Sequence, residues 1–223
     1  MSFELPGLHV MFGGTYDPIH NGHLRVAVEL RETLEAQLSG TAQVHLVPCH
    51  VPPHRANPGA SARQRCEMLA LAIDGEMRLE VDPREIERTE PSWSVDTLAQ
   101  MREEIGHDTP LAMTVGTDSF MAIDRWHRWR EILELAHIIV VQRPGYHVGP
   151  GTEAEHLLST RRAERAGALT EKRAGRILPL TLSLLDISAT DIRARVASGR
   201  SPRYLVPDAV WRYICDHSLY TKQ

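Results

Sequence analysis

The chain has 223 residues, of which 42% are hydrophobic and 24% are charged. This balance excludes a disordered, collagen-like or coiled-coil protein and predicts a globular chain with a sizeable core. Its formal charge of −4 excludes a surface that is basic throughout, as many nucleic-acid-binding proteins have. The three cysteines are far apart, and the sequence shows neither a signal peptide nor a long apolar run, so we expect a cytoplasmic protein without disulfides.

Strand and helix signals alternate along the chain. In chain order, apolar or alternating runs predict strands at 8–12, 44–47, 77–82, 111–115, 138–141 and 177–185, and helical spacing predicts helices near 21–38, 66–73, 94–105, 130–135, 188–198 and 207–217. Pro179 interrupts the last strand, which we therefore expect to be an edge or irregular strand. Residues 149–176 are polar and helix-prone, and we expect them to form a surface insertion.

This alternation predicts an α/β fold, a Rossmann-like doubly wound parallel sheet with helices on both faces and a small C-terminal helical part. We expect residues 1–223 to form a single domain. In sheets of this kind the ligand binds beyond the carboxyl ends of the strands, where the strand order reverses. The unusual residues of this chain do follow the ends of predicted strands.

The first unusual segment, GGTYDPIHNGH at residues 13–23, directly follows the first predicted strand. Its two glycines allow the backbone to approach a ligand closely, and it ends at a helix N-terminus, where free amides attract anions. If the turn between them is helical, His20 and His23 share one face and can donate hydrogen bonds to successive phosphates. A tight turn with two surface histidines is the alternative. The segment matches neither GxGxxG nor the P-loop pattern.

The second segment is ISATDIR at residues 187–193. Ser188 followed by Asp191 is typical of a capped helix start, which would explain the segment without any ligand. A functional interpretation adds that Ser188, Thr190 and the first-turn amides bind a second anion, with Arg193 reaching back over that turn. The two interpretations are compatible.

Together these segments resemble the nucleotidyltransferase superfamily, and more closely the bacterial nicotinate mononucleotide adenylyltransferases. The family pattern GG(T/S)FDPxHxGH is matched at 13–23 with Tyr16 in place of Phe, and the family's PPHK corresponds to PPHR at 52–55. The family's PSYTxDTL resembles PSWSVDTL at 91–98. Three further matches then follow in family order, which are Gly116-x-Asp118, Trp126-x-x-Trp129 and Arg143-Pro144-Gly145. The resemblance runs from residue 8 to about residue 214.

Among the departures from the family pattern, three concern the predicted site. Arg55 replaces Lys, which keeps the charge but changes the geometry of the donors. Ala189 stands where the family often has a second Ser, and Ser94 replaces Thr but preserves a hydroxyl.

The resemblance implies transfer of the adenylyl group of ATP to nicotinate mononucleotide, with release of pyrophosphate and without a covalent enzyme intermediate. The product, nicotinate adenine dinucleotide, belongs to NAD biosynthesis. It implies that His20 and His23 are catalytic donors to the ATP phosphates. The other ATP-binding residues that it implies are Gly13, Gly14, Thr15, Asp17, Gly22, Ser188, Thr190 and Arg193, with the C-terminal helices at 188–219 completing the phosphate site. Mg²⁺ would arrive on the ATP phosphates, so no residue is assigned to a metal.

For the nicotinate nucleotide, the resemblance implies five binding residues, Arg55, Ser94, Asp118, Trp126 and Arg143. Trp126 would stack on the ring, an amide near Ser94 would meet the carboxylate, and Asp118 would contact the ribose. Taken by itself, Trp126 could equally be a core aromatic residue, and Arg143 an ordinary surface arginine beside a Pro-Gly turn.

Two alternatives to this reaction stay open at this point. The same chemistry could act on another substrate, such as nicotinamide mononucleotide or phosphopantetheine, or in a cytidylyl transfer, or the chain could be a catalytically silent nucleotide-binding regulator. A zinc site formed by Cys49, His50 and His54 is disfavoured because a matching second pair of ligands is missing. We expect ATP and nicotinate mononucleotide as partners, but no nucleic acid or membrane. The sequence leaves open whether the chain forms a homo-oligomer.

Overall fold

A computed structural model describes residues 7–50, 59–88, 91–142 and 148–221. Within them, six strands form one parallel sheet in the order β3-β2-β1-β4-β5-β6. The strands are β1 Leu8–Gly14, β2 Ala42–Pro48, β3 Leu79–Val81, β4 Leu111–Gly116, β5 His137–Gln142 and β6 Ile177–Thr181. The strand order reverses between β1 and β4, which confirms the predicted doubly wound α/β fold.

The helices connect these strands and follow the last of them. They are α1 Asn21–Glu35, α2 Ala62–Ile73, α3 Ser94–Ile105, α4 Thr117–Phe120, α5 Trp129–Leu135, α6 Glu153–Arg161, α7 Ala189–Ala197 and α8 Asp208–Asp216. Each predicted helix is present, whereas α4 is too short to show a period in the sequence. None of the described helices combines the length and the apolar character that a bilayer-spanning segment needs.

The strand predicted at 77–82 is shorter than expected. Only Leu79–Val81 pair in the sheet, and the side chain of Met77 is 77% exposed. Arg78 has a φ of +60°, in the left-handed region, so the chain turns there and β3 cannot begin earlier.

The segment 149–176 is not only a surface insertion, which corrects the expectation. It contains α6 and a 3₁₀ turn at Ala166–Thr170, and its inner face packs: Leu169 is fully buried. The Ala166 amide donates to the side chain of Gln37 over 3.0 Å. The buried residues of this segment are a few alanines and leucines spread among many polar residues, so the inner face is hard to recognise in the sequence.

The described residues group into two compact units. Of the described residues, the first unit comprises 7–12, 29–45, 93–142 and 148–182, and the second comprises 13–28, 46–50, 59–88, 91–92 and 183–221. Fully buried side chains of the first unit include Leu34, Leu98, Ile123, Ile132, Ile138 and Ile139. Those of the second include Ile19, Met68, Leu69, Ile192 and Val210. Organisation of the chain as one domain stays a prediction.

Candidate active site

In the second unit, the segment 13–23 leads from the end of β1 into α1, as the sequence predicts. A Cβ on Gly14 would lie 2.8 Å from Cζ of Tyr16, so only glycine fits beneath that ring. Tyr16 itself is 1% exposed and has a φ of +50°. The protein's own Tyr16 thus fills the space where a Cβ of residue 14 would lie, and contact between the Gly14 backbone and ATP stays a prediction.

His20 and His23 lie side by side at the start of α1. Their ring centroids are 3.7 Å apart and the ring planes are 26° from parallel. The His23 amide donates to the His20 carbonyl over 2.9 Å, so the turn between them is helical, as the predicted pairing required. Tyr16 meets the His23 ring edge-on, with centroids 5.1 Å apart.

Gly22 lies beneath the imidazole of His20. A Cβ at Gly22 would be 3.0 Å from Nδ1 and 3.1 Å from Cε1 of His20. The absence of a side chain at this position therefore lets the His20 ring rest against the first turn of α1.

Burial controls the charge of His20. His20 is 5% exposed, and burial lowers the pKa of its imidazole to about 4. The ring is therefore neutral at pH 7. Its Nδ1 is buried and has no hydrogen-bond partner in the described part of the chain. A neutral imidazole offers one N–H donor and one acceptor, and a bound anion would raise its pKa again.

Asp17 is 4% exposed and is surrounded by donors of the second unit. Its carboxylate accepts from the amides of Gly59 and Ala60, over 2.8 and 3.1 Å, and from the Tyr220 hydroxyl over 2.7 Å. Arg193 Nη1 lies 3.7 Å from Oδ2 of the same carboxylate. These groups use most of its acceptor capacity, so contact between Asp17 and ATP stays a prediction.

Arg193 joins the two predicted segments. Its Nη1 donates to the Asp17 carbonyl over 2.6 Å, and its Nη2 donates to the Thr190 hydroxyl over 3.3 Å. Ser188 is the N-cap of α7, and its hydroxyl accepts from the Asp191 amide over 3.1 Å. The capped helix start and the arginine that reaches back over it are both confirmed.

Arg65 on α2 holds the segment 13–23 in place through hydrogen bonds. It is fully buried, and it donates to the carbonyls of Thr15 and His50 over 2.7 and 3.1 Å. The Cys49 amide also donates to the Gly14 carbonyl, over 3.0 Å. These bonds fix the loops that follow β1 and β2.

The described residues offer no support for the zinc alternative. Burial raises the pKa of the Cys49 thiol, whose Sγ lies 3.7 Å from the Thr15 hydroxyl. His50 Nδ1 lies 2.6 Å from the Arg88 carbonyl, and His54 is outside the described residues. Among the residues that the structure describes, no three His, Cys, Asp or Glu side chains are placed to hold a metal ion.

The first unit carries three of the residues predicted for the nicotinate nucleotide. Ser94 opens α3, and Asp118 is exposed in α4, directly after the carboxyl end of β4. Trp126 follows a 3₁₀ turn and is only half-buried, so it is not a core aromatic residue. The structure thus places these three residues on separate elements of one unit. Arg55 and Arg143 lie outside the described residues.

Comparison with known proteins agrees with this geometry. A cytidylyltransferase-like family model matches residues 11–195. Proteins named probable nicotinate-nucleotide adenylyltransferase from Marinobacter nauticus and Cellvibrio japonicus are 52% and 48% identical to this chain, covering 96% and 94% of it and 96% and 97% of their own lengths. The chain belongs to the nicotinate-nucleotide adenylyltransferase family.

The fold comparison extends to a distant adenylyltransferase. A structure of Plasmodium falciparum nicotinic acid mononucleotide adenylyltransferase complexed with NaAD superposes with a TM-score of 0.68 at 15% identity. The match covers 96% of this chain and 97% of that one, and at this identity it supports the fold alone.

Two residues that hold the adenylyltransferase motif in place were missed in the sequence. Arg65 precedes Met68 and Leu69 by three and four positions, which puts an arginine on the buried face of α2 and could have flagged it. Tyr220 contacts Asp17 across 203 positions of sequence, and no local pattern indicates that contact. Trp93 lies next to Ser94, and its ring packs on that of His127 with centroids 4.8 Å apart.

Proposed function

We propose that this chain transfers the adenylyl group of ATP to nicotinate mononucleotide, giving nicotinate adenine dinucleotide and pyrophosphate. The observation that carries the proposal is the His20–His23 pair, stacked at the start of α1 in a chain 52% identical to a protein named for this reaction. The same assignment makes a cytoplasmic location and a role in NAD biosynthesis our expectation.

The chemistry needs no general base. The phosphate of the mononucleotide is already an anionic nucleophile; one of its oxygens forms a bond to the α-phosphorus of ATP. The bond from that phosphorus to the bridging oxygen breaks, and pyrophosphate leaves with the electron pair. The protein must therefore align the two substrates and stabilise charge that develops on the phosphate oxygens.

We assign that stabilisation chiefly to the two imidazoles rather than to the helix amides. At the start of α1, the Asn21 amide already donates to the Leu205 carbonyl over 2.8 Å, and the His23 amide to the His20 carbonyl. His20 and His23 would each donate one N–H to the ATP phosphates, with His23 nearer the α-phosphate. The remaining backbone contacts are assigned to Gly13, Gly14 and Thr15.

Arg193 retains donors for the β- and γ-phosphates. A guanidinium has five N–H groups, of which two are used on Asp17 and Thr190, and its side chain is 34% exposed. We propose that it binds these phosphates together with Ser188 and Thr190. Mg²⁺ would enter as part of the MgATP substrate, since it keeps most of its water ligands and binds readily to phosphate oxygens.

Trp126 is the residue that we propose to stack on the nicotinate ring. Because stacking on an aromatic side chain contributes about 1–3 kcal/mol per base, Trp126→Ala should raise the KM for nicotinate mononucleotide about 10-fold or more. The KM for ATP should stay within twofold. Steady-state kinetics with Trp129→Ala as the matched control would check this; equal effects of both variants would contradict the stacking role.

The proposed acceptor is tested by measuring pyrophosphate release from MgATP with a panel of phosphates. We expect nicotinate mononucleotide to be the preferred acceptor over nicotinamide mononucleotide and phosphopantetheine. Preference for either of the other two would overturn the acceptor assignment. Binding of ATP without pyrophosphate release from any acceptor would instead indicate a silent regulator.

A further inference from the structure

Tyr220 reaches from beyond α8 to the predicted phosphate segment of the second unit. Its hydroxyl donates to Asp17 Oδ1 over 2.7 Å, and its ring packs on Gly59, where a Cβ would lie 3.0 Å from both Cδ1 and Cε1. The chain arrives there through a turn in which Ser218 and Tyr220 both have positive φ, +50° and +60°. For residues other than glycine this conformation is uncommon, and here it presents the phenol to Asp17.

Asp17 connects that phenol to the residues of the phosphate site. It lies three positions before His20, and both its carbonyl and its carboxylate face the guanidinium of Arg193, at 2.6 Å and 3.7 Å from Nη1. The donors on this buried carboxylate come from three separate parts of the chain, which are residues 59–60, Arg193 and Tyr220. Oδ1 accepts from both the Ala60 amide and the Tyr220 hydroxyl, so loss of the hydroxyl removes one of two hydrogen bonds to an atom of a buried charged group.

The hydroxyl of Tyr220 is a permanent donor. Burial, with a further contribution from the adjacent Asp17 carboxylate, raises the pKa of Tyr220 well above its usual value. The phenol is therefore protonated at neutral pH, where its bond to Asp17 is not affected by its own ionisation.

We propose that Tyr220 is a positioning residue for ATP, acting through Asp17 on the guanidinium of Arg193 and on the loop that carries His20. This inference rests on the proposed function, because it assumes that Arg193 and His20 contact ATP. It assigns to Tyr220 no contact with either substrate.

The chain offers a matched control for the test. Tyr213 on α8 also donates its hydroxyl to a carboxylate of the second unit, that of Glu67 on α2, and neither residue is assigned to the site. Tyr213→Phe and Tyr220→Phe therefore each remove a hydrogen bond from a tyrosine hydroxyl to a carboxylate. Only the bond of Tyr220 is made to a residue of the proposed site.

We expect Tyr220→Phe to weaken ATP binding about tenfold, a loss typical of a hydrogen bond to a charged group, and to raise the KM for ATP to the same extent. The KM for nicotinate mononucleotide should stay within twofold. Tyr213→Phe should leave both constants within twofold, even if urea unfolding shows that it destabilises the protein as much as Tyr220→Phe does.

Calorimetric titration with MgATP keeps the test independent of turnover. An unchanged ATP affinity in folded Tyr220→Phe overturns the positioning role, whereas absence of pyrophosphate release by the wild type with every acceptor overturns the proposed function. A double-mutant cycle with Asp17→Asn tests the route: the two substitutions should be non-additive in ATP affinity. Additive effects would mean that Tyr220 does not act through Asp17.

Discussion

Gly14 and Gly22 lie beneath aromatic rings of their own loop, those of Tyr16 and His20. The sequence predicted that Gly13 and Gly14 let the backbone approach a ligand, because a glycine has no Cβ, and that the helix start attracts an anion. The position of the loop was therefore predictable, but its inner packing was not. Which ring fills the space above each glycine depends on contacts that are formed only in the folded chain.

Gly22→Ala should lower the activity of the protein and leave its stability nearly unchanged. The new Cβ would lie 3.0 Å from Nδ1 of the His20 ring, so the ring must move by a few tenths of an ångström. Alanine has a higher helix propensity than glycine, which offsets a loss of stability. We expect kcat to fall at least 10-fold with little change in the melting temperature. Gly40→Ala, where the nearest atom to a Cβ would be 3.8 Å away, is the control; an unchanged kcat in Gly22→Ala would contradict the proposed place of His20.

His23→Ala should lower turnover by about 10²–10³-fold, the loss seen when one donor to a developing oxyanion is removed. The fold should remain intact, because His23 is at the first turn of α1 and not in the core. Pyrophosphate release and far-UV circular dichroism would measure both effects, with the exposed His156→Ala on α6 as control. Turnover near that of the wild type would remove His23 from its assigned role.

The elements themselves follow from local signals with few exceptions. Helix α3 has the predicted bounds, since its apolar spacing is regular. Pro179 correctly marked β6 as an edge strand, but β6 ends at Thr181 and not at residue 185 as predicted. The predicted start of β3 was wrong because the positive φ of one residue, Arg78, turns the chain there. The prediction was also incomplete in the segment 149–176, whose buried face is formed by a few scattered alanines and leucines.

Arg65→Ala should destabilise the protein by about 3 kcal/mol or more, because it leaves the carbonyls of Thr15 and His50 without a donor and opens a cavity. Urea unfolding would measure this loss. Arg63→Ala on the same helix is the control: the Arg63 side chain is 89% exposed in its pair with Glu67, and such pairs contribute less than about 1 kcal/mol. Equal effects of the two variants would show that Arg65 does not fasten the loop.

Two buried histidines make the stability of the protein depend on pH. Burial lowers the pKa values of His20 and His137 to about 4 each, so the unfolded chain takes up these protons near pH 6.5 and the folded chain only near pH 4. Stability is therefore fully present above about pH 6.5 and falls as the pH drops from there to about 4. For each histidine the loss amounts to roughly 3 kcal/mol at most.

The contribution of His137 can be isolated by substitution. Its Nδ1 accepts from the Arg176 amide and its Nε2 donates to the Lys172 carbonyl, both over 2.9 Å, so glutamine can replace part of this pairing without titrating. Urea unfolding at pH 7 and at pH 4.5 should show a smaller loss for His137→Gln than for the wild type. An identical loss would mean that His137 is not buried as a neutral group.

Both edge strands of the sheet, β3 and β6, are poorly suited to pairing with a further strand. At one border β3 has only three residues; at the other, Pro179 of β6 lacks an N–H, and the Ile177 carbonyl is already occupied by the Ala163 amide at 2.7 Å. An incoming extended chain would meet an interrupted row of donors and acceptors on either side. Association of two copies of this protein through paired edge strands is therefore disfavoured.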